Sequence, residues 1–275
     1  MSSDGGGYID CNRNGLICDI DGNPLSESRS SNNNITIDQT RINEHTSGSY
    51  WKVLLYVPNC MGYLRVLLAF YGYHASMQEE HNRALNMWIA ASVLDLFDGM
   101  AARRLNQCSQ FGVVLDVIAD NILRSVVWIS IIMIEDDHGD VSGIRRCIWT
   151  AIIFLEWITM FCSQMKASRS QDNHWKDMTQ TQPPFWVHGV FKNNFRTPPG
   201  ILAIYGLFIA PIGTYVFYAD QVWPKQLLPE HAVFVFLVIS YLGRVLSASV
   251  ELWICIDYFD GMIKTERNHR SKKQS

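Results

Sequence analysis

The sequence predicts an all-α integral membrane protein built as a bundle of six transmembrane helices. Hydrophobic residues make up 48% of the 275 residues, and charged residues make up only 18%, which is below the roughly 25% of an ordinary soluble domain. Long apolar runs fill the middle of the chain between polar ends. These runs lack the two-residue alternation of a membrane β-barrel. Helices are therefore the predicted way to satisfy the backbone in lipid.

Six apolar segments approach the length of about 20 residues that a helix needs to cross a ~30 Å hydrocarbon core. They are Val57–Met77, Ala84–Arg103, Phe111–Ile134, Cys147–Met165, Pro199–Ala219 and His231–Tyr258. These spans define a membrane domain over residues 51–260, with a polar tail at 1–50 and a basic tail at 261–275. Tryptophans near the span edges predict interface anchors: Trp88, Trp128, Trp149, Trp223 and Trp253.

The connecting segments predict the orientation of the chain. Residues 1–50 have too few large apolar side chains to bury a core, which predicts a disordered tail. The same residues show no signal-peptide pattern. Basic residues concentrate in the second-to-third connection, the fourth-to-fifth connection and the C-terminal tail. The positive-inside rule places these segments and both termini in the cytoplasm. The basic tail fits an orientation signal and a contact with anionic lipid, not a nucleic-acid site.

Four aspartates stand in the run DLFDGMAARRLNQCSQFGVVLDVIAD, which is apolar on both sides. Asp95 and Asp98 are three residues apart, and Asp116 and Asp120 are four apart, so each pair shares one face of its helix. The polar turn LNQCSQ separates the two helices. Antiparallel packing would bring the four carboxylates to one level, just below the cytoplasmic surface.

Such a cluster predicts a metal site, because four neighbouring carboxylates cannot all stay ionised without cations. Ionisable residues inside a membrane indicate function. Oxygen ligands without nearby Cys or His favour Mg²⁺ or Mn²⁺, and two ions about 3.5–4 Å apart could be bridged by this set. Gly99 and Gly112 would let a ligand or a helix come close. Arg103 stands where it could meet a phosphate.

The spacing of these residues resembles the signature of the CDP-alcohol phosphotransferase family at every fixed position. It reads Asp95-x2-Asp98-Gly99-x2-Ala102-Arg103-x8-Gly112-x3-Asp116-x3-Asp120. Members of that family are six-helix membrane proteins, usually dimers, with the signature on the second and third helices. They transfer a phosphoalcohol from a CDP-linked donor to a hydroxyl and release CMP. The resemblance therefore implies a metal-dependent transferase and a homodimer.

The resemblance also implies a role for each matched position. Two Mg²⁺ or Mn²⁺ ions would be held by Asp95, Asp98, Asp116 and Asp120. Asp120 would in addition act as the general base that takes the proton of the acceptor hydroxyl. The CDP part of the donor would be contacted by Gly99, Ala102, Arg103, Ser109 and Gly112.

Within the family, the chain is most similar to the phosphatidylinositol synthases, through VPNCMGYLRVLLA and LDLFDGMAARRLNQCSQFGVVLD. The implied reaction joins the phosphatidyl group of CDP-diacylglycerol to myo-inositol and gives phosphatidylinositol and CMP. The implied location is the endoplasmic reticulum membrane, with the active site facing the cytoplasm. Two alternatives stay open. One is a sister transferase with a different acceptor or donor alcohol, and the other is a non-catalytic membrane scaffold that retains the fold.

Two further charged residues stand inside apolar spans and are candidates for a role in the site. Arg65 in the first span could contact a phosphate of the donor or the acceptor, or form a salt bridge to one of the aspartates. Glu156 in the fourth span could face the acceptor or pair with an arginine. Arg244 and Glu251 share one face of the sixth span and are expected to pack against partners.

Overall fold

The computed structural model describes residues 9–10, 17–18, 51–137, 143–169, 183–193, 195–219, 222–227 and 229–274. Two short strands and eight helices lie in these ranges: β1 (Ile9–Asp10), β2 (Ile17–Cys18), α1 (Val57–Met77), α2 (His81–Arg104), α3 (Gln110–Asp137), α4 (Gly143–Arg169), α5 (Phe185–Phe191), α6 (Pro198–Tyr218), α7 (Trp223–Leu227) and α8 (Glu230–Gln274). A helical turn at residues 51–54 precedes α1.

The structure describes the two predicted tails to different extents. In the N-terminal tail only β1 and β2 are described, paired antiparallel with Ile9 opposite Cys18; its predicted disorder otherwise concerns residues outside the described ranges. At the other end, the 45-residue α8 continues through residues 261–274 without a break. The basic tail is therefore the end of the last long helix.

Four helices are long and apolar enough to cross a membrane among the residues that the structure describes. Their apolar stretches are Gln110–Ile134, Gly143–Ala167, Pro198–Tyr218 and His231–Arg267, and they belong to α3, α4, α6 and α8. The first two predicted spans are helical, as α1 and α2, but these helices are not among the four. The chain is thus helical with four candidate spans, and six spans stay a prediction.

The chain contacts divide the protein into two compact units. The first unit comprises Met1–Ala69 and Met87–Asp120, and the second comprises Phe70–Asn86 and Asn121–Ser275. The first unit therefore holds most of α1, most of α2 and the start of α3, which carry the aspartates. The second unit holds the rest of α3 and helices α4 to α8.

Two tryptophans that the sequence assigns to the membrane interface lie in the protein interior. Trp88 and Trp128 have no exposed surface. The indole of Trp88 donates to Ala69 O at 3.2 Å, and the ring of Trp128 stacks on Trp149 at 4.9 Å between centroids. The anchor prediction is wrong for Trp88 and Trp128, because their large rings fill space between helices instead of facing lipid headgroups.

In the second unit, α8 packs against both α6 and α4. The contact with α6 depends on two glycines that face each other, Gly206 and Gly243. A Cβ placed on Gly206 would lie 2.2 Å from the backbone nitrogen of Arg244, and one on Gly243 would lie 2.1 Å from Leu202 O. The two backbones are therefore in direct contact, as occurs where small residues line a crossing of membrane helices.

We predict that Gly243→Ala destabilises the protein by about 1–3 kcal/mol, because the added methyl group meets backbone atoms that cannot rotate away. Gly213→Ala on α6 is the matched control, since its Cβ would meet only Leu237 Cδ1 at 3.5 Å. Thermal unfolding in detergent should show a lower Tm for Gly243→Ala and an unchanged or higher Tm for Gly213→Ala. Equal Tm values for the two variants would contradict the close crossing.

Candidate active site

The four aspartates lie on two helices of the first unit that are joined by a short turn. Asp95 and Asp98 belong to α2, and Asp116 and Asp120 belong to α3. One carboxylate oxygen from each of Asp95, Asp98 and Asp116 lies within 4.8 Å of the others. The three- and four-residue spacings thus bring these side chains together.

Arg65 of α1 forms ion pairs with all four carboxylates. Its Nη1 donates to Asp98 Oδ2 at 2.8 Å and to Asp116 Oδ1 at 2.6 Å. Its Nη2 lies 2.7 Å from Asp95 Oδ1 and also pairs with Asp120 Oδ1. The guanidinium is therefore the common partner of the cluster. Two roles were predicted for Arg65. The structure contains the salt bridge to the aspartates, and a contact with a substrate phosphate stays a prediction.

The cluster is suited to bind a divalent cation. Its members offer carboxylate oxygens, which are the ligands that Mg²⁺ and Mn²⁺ prefer. The side chains of Asp95 and Asp116 are 31% and 49% exposed, whereas that of Arg65 is only 2% exposed. The acidic group is thus open on a side that Arg65 does not cover. The described residues at this centre fit the predicted metal, although its identity and number stay predictions.

The turn between α2 and α3 is built by local hydrogen bonds of its backbone and of one side chain. Asn106 adopts a left-handed conformation with φ of 53°, which asparagine tolerates better than most residues. Gln107 N then donates to Ala102 O at 3.0 Å and ends α2. Ser109 Oγ accepts from Gly112 N at 3.0 Å, as an N-cap residue does at the start of a helix. These bonds fix the distance between the two aspartate pairs.

A cavity of about 270 Å³ adjoins the aspartates in the first unit. Asp98 and Asp116 form part of its wall. The remaining wall includes all five residues that the sequence assigns to the donor: Gly99, Ala102, Arg103, Ser109 and Gly112. The structure therefore brings the predicted donor residues together beside two of the predicted metal ligands. A role in donor binding stays a prediction for each of them.

Asn59 and Gln107 also line this cavity, and sequence reasoning assigned no role to either. Asn59 is 1% exposed, and its Nδ2 donates to Val53 O. Gln107 Oε1 accepts from Val57 N at 3.0 Å and so holds the start of α1 to the turn. Both residues lie in the runs that carry the family resemblance, VPN and LNQ. Their place in these runs is the sequence feature that could have identified them.

Glu156 lies in the second unit, inside a network of buried charges. Its Oε2 accepts from Arg124 Nε at 2.9 Å, and its Oε1 accepts from Arg244 Nη2 at 3.1 Å. Arg244 also donates to Glu251 at 3.1 Å, so Arg244 and Glu251 pair along one face of α8. Arg124 further donates to Asn121 Oδ1. The arginine pairing of Glu156 is therefore present, and a contact with the acceptor stays a prediction.

Together, the fold and the site define a helical protein with four candidate membrane spans and an open acidic centre beside a cavity. The sequence profile of the CDP-alcohol phosphatidyltransferase family matches residues 55–224, which is more than half of the chain. The chain belongs to the CDP-alcohol phosphatidyltransferase family. The match includes the aspartates, Arg65 and the residues of the cavity.

Several curated relatives carry the name CDP-diacylglycerol--inositol 3-phosphatidyltransferase. The protein of Candida albicans is 35% identical over 82 residues, which are 29% of this chain and 35% of the relative. The first enzyme of Arabidopsis thaliana is 28% identical over 142 residues, which are 52% of this chain and 58% of the relative. The rat protein is 32% identical over 118 residues, which are 43% and 54% of the two chains.

These matched segments span between about a third and somewhat more than half of the length of the relatives. No solved structure matches the chain. The profile match over residues 55–224 shows the family, and the relatives described here carry the name of inositol phosphatidyltransferases.

We predict different effects on stability for alanine at two of the three glycines that line the cavity, Gly112 and Gly99. A Cβ on Gly112 would lie 2.7 Å from Asn59 Oδ1 and 3.1 Å from Ser109 Oγ, so these buried side chains would have to move. A Cβ on Gly99 would meet only the guanidinium of Arg103, no closer than 3.6 Å. Thermal unfolding should show a lower Tm for Gly112→Ala and an unchanged or higher Tm for Gly99→Ala. A lower Tm for Gly99→Ala alone would contradict the described packing.

Proposed function

We propose that the protein transfers the phosphatidyl group of CDP-diacylglycerol to myo-inositol, giving phosphatidylinositol and CMP. The observation that carries the proposal is the sharing of Asp98 and Asp116 between the acidic centre and the cavity. A diphosphate donor in the cavity would have its phosphates next to the carboxylate cluster. The names of the relatives support inositol as the acceptor and CDP-diacylglycerol as the donor.

The cavity would bind the CDP part of the donor. Gly99 leaves open space along α2, so that the donor can approach the helix backbone. Arg103 folds its guanidinium towards Gly99 along the cavity wall, where it can pair with a phosphate. Gln107 holds the start of α1 to the turn, and Asn59 bonds to Val53 O just before α1, so that both side chains keep their places in the cavity wall. The acyl chains would extend into the bilayer.

The aspartates would position the reacting groups. Asp95, Asp98, Asp116 and Asp120 would hold two Mg²⁺ or Mn²⁺ ions, which supply electrostatic stabilisation to the diphosphate and the departing CMP. Asp120 would take the proton of the acceptor hydroxyl as that oxygen attacks the β-phosphorus. Its side chain is 20% exposed, so an acceptor can reach its carboxylate. Positioning and charge stabilisation would account for most of the acceleration.

The cellular setting follows from the same proposal. The enzyme would work as a homodimer in the endoplasmic reticulum membrane, with both termini and the active site on the cytoplasmic side. The four apolar helices support the membrane location. A sister transferase with another alcohol and a non-catalytic scaffold are the competing functions. The excess of carboxylates at the centre argues against a scaffold, because unbalanced charge within a membrane protein is costly without a ligand.

The test is CMP release by the purified protein in liposomes with CDP-diacylglycerol, Mn²⁺ or Mg²⁺, and myo-inositol either present or omitted. We expect inositol-dependent release that falls by about 10²-fold or more in Asp120→Asn, since proton removal by a general base contributes roughly 10²–10⁴-fold. Asp260→Asn is the matched control, because this aspartate pairs with Lys264 near the end of α8.

The outcomes separate the three functions. Release that requires a different alcohol would keep the transfer reaction and reject inositol. No release with any donor and acceptor, from protein with a normal unfolding transition, would reject the enzyme in favour of a scaffold. Release that persists in Asp120→Asn would reject the role of Asp120 and leave the reaction in place.

The glycine of α2 gives a separate prediction about the donor. Gly99→Ala should raise the KM for CDP-diacylglycerol by about tenfold, because the methyl group projects into the cavity while the folded protein accommodates it. The KM for the acceptor should not change. Steady-state kinetics with each substrate varied in turn measures both constants, and an unchanged donor KM would place the CDP part elsewhere.

A further inference from the structure

Arg65 contacts the same carboxylates that the proposed metal site would use. Its two terminal nitrogens form ion pairs with one oxygen of each of the four aspartates, Asp95, Asp98, Asp116 and Asp120. The side chain is 2% exposed, so it is held in this place by the surrounding protein. An oxygen that accepts a charged hydrogen bond has less electron density and less space to offer a cation. Arg65 and a divalent ion are therefore in competition.

The net charge of the four aspartates and Arg65 makes the competition between Arg65 and the ions depend on the diphosphate donor. Four carboxylates and one guanidinium leave three unbalanced negative charges, whereas two divalent ions bring four positive charges. With Arg65 in place, two ions would overcharge the centre. A diphosphate adds negative charge to the group and so offsets the positive charge that Arg65 and two ions together would leave.

We propose that Arg65 is a positioning residue that weakens the binding of divalent ions to the free protein and thereby couples their binding to that of the diphosphate donor. The inference rests on the proposed function, because it takes the metal-dependent use of a CDP-linked donor as its starting point. By linkage, whatever factor the donor adds to the affinity for the ion, the ion adds to the affinity for the donor. The coupling favours loading of the ions and the donor together.

The test is a titration with Mn²⁺, in which the electron paramagnetic resonance signal of the free ion reports binding without any turnover. The purified full chain would be titrated in detergent with and without CDP, and the Mn²⁺ that CDP binds in a protein-free titration would be subtracted. For the wild type we expect CDP to tighten Mn²⁺ binding by about tenfold, within the usual range of coupling between two sites. For Arg65→Gln we expect binding about tenfold tighter than in the wild type without CDP, and little further effect of CDP.

Arg103→Gln is the matched control, because it removes a positive charge from the cavity wall and leaves the Arg65 ion pairs intact. It should weaken the effect of CDP without tightening Mn²⁺ binding in its absence. Arg65→Lys covers the case in which Arg65→Gln does not fold. It keeps the charge but cannot address four carboxylates with one planar group, so Mn²⁺ binding should be tighter than in the wild type.

Each outcome decides the inference. Weaker or unchanged Mn²⁺ binding in Arg65→Gln, or in Arg65→Lys if only that variant folds, would overturn it, since Arg65 would then support the ligands or play no part. A wild type that binds Mn²⁺ with no effect of CDP would also overturn it. Coupled binding together with no CMP release in the liposome assay would reject the proposed function and leave the role of Arg65 standing.

Discussion

The contact of Arg65 with four carboxylates is the interaction on which the rest of the first unit depends. It joins α1, which carries the arginine, to α2 and α3, which each carry two of these four aspartates. A buried guanidinium without partners would cost several kcal/mol, and so would partly buried carboxylates without a cation. The three helices are therefore held at positions where these charges meet. Any arrangement that separated α1 from the aspartates would leave both sets of charges unpaired.

That electrostatic requirement brings the helices close, and small residues make the approach possible. Gly112 gives room to Asn59, since a Cβ there would lie 2.7 Å from the amide oxygen, and Gly62 gives room to Leu115 in the same way. Gly99 differs, because the protein places little beside it. Two glycines of the cavity wall thus serve the packing of α1 on α3, whereas the space at Gly99 is left for a ligand.

The sequence predicted the parts that follow from spacing along one helix. The aspartate pairs share faces because they are three and four residues apart, and the turn between them is marked by LNQCS.

Contacts between distant segments could not be predicted in this way. That Arg65 contacts every aspartate instead of one, and that Glu156 is shared by Arg124 and Arg244, depends on how separate helices pack. Trp88 and Trp128 were misplaced for the same reason, since a tryptophan at a membrane surface and one in a helical core look alike in sequence. The charged residues of α2 explain why this segment forms a helix but is not among the four candidate membrane spans.

Two charged groups among the described residues differ in composition and exposure. The group of the second unit has two arginines and two glutamates, Arg124, Arg244, Glu156 and Glu251, and none is more than 8% exposed. It is balanced and closed, so its main effect is to hold α3, α4 and α8 together. The group of the first unit has one arginine for four aspartates, and the side chain of Asp116 is half exposed. Such an excess is balanced either by protonation of a carboxylate or by a cation from outside. The imbalance is therefore the feature that makes this centre, and not the closed one, suited to bind a cation.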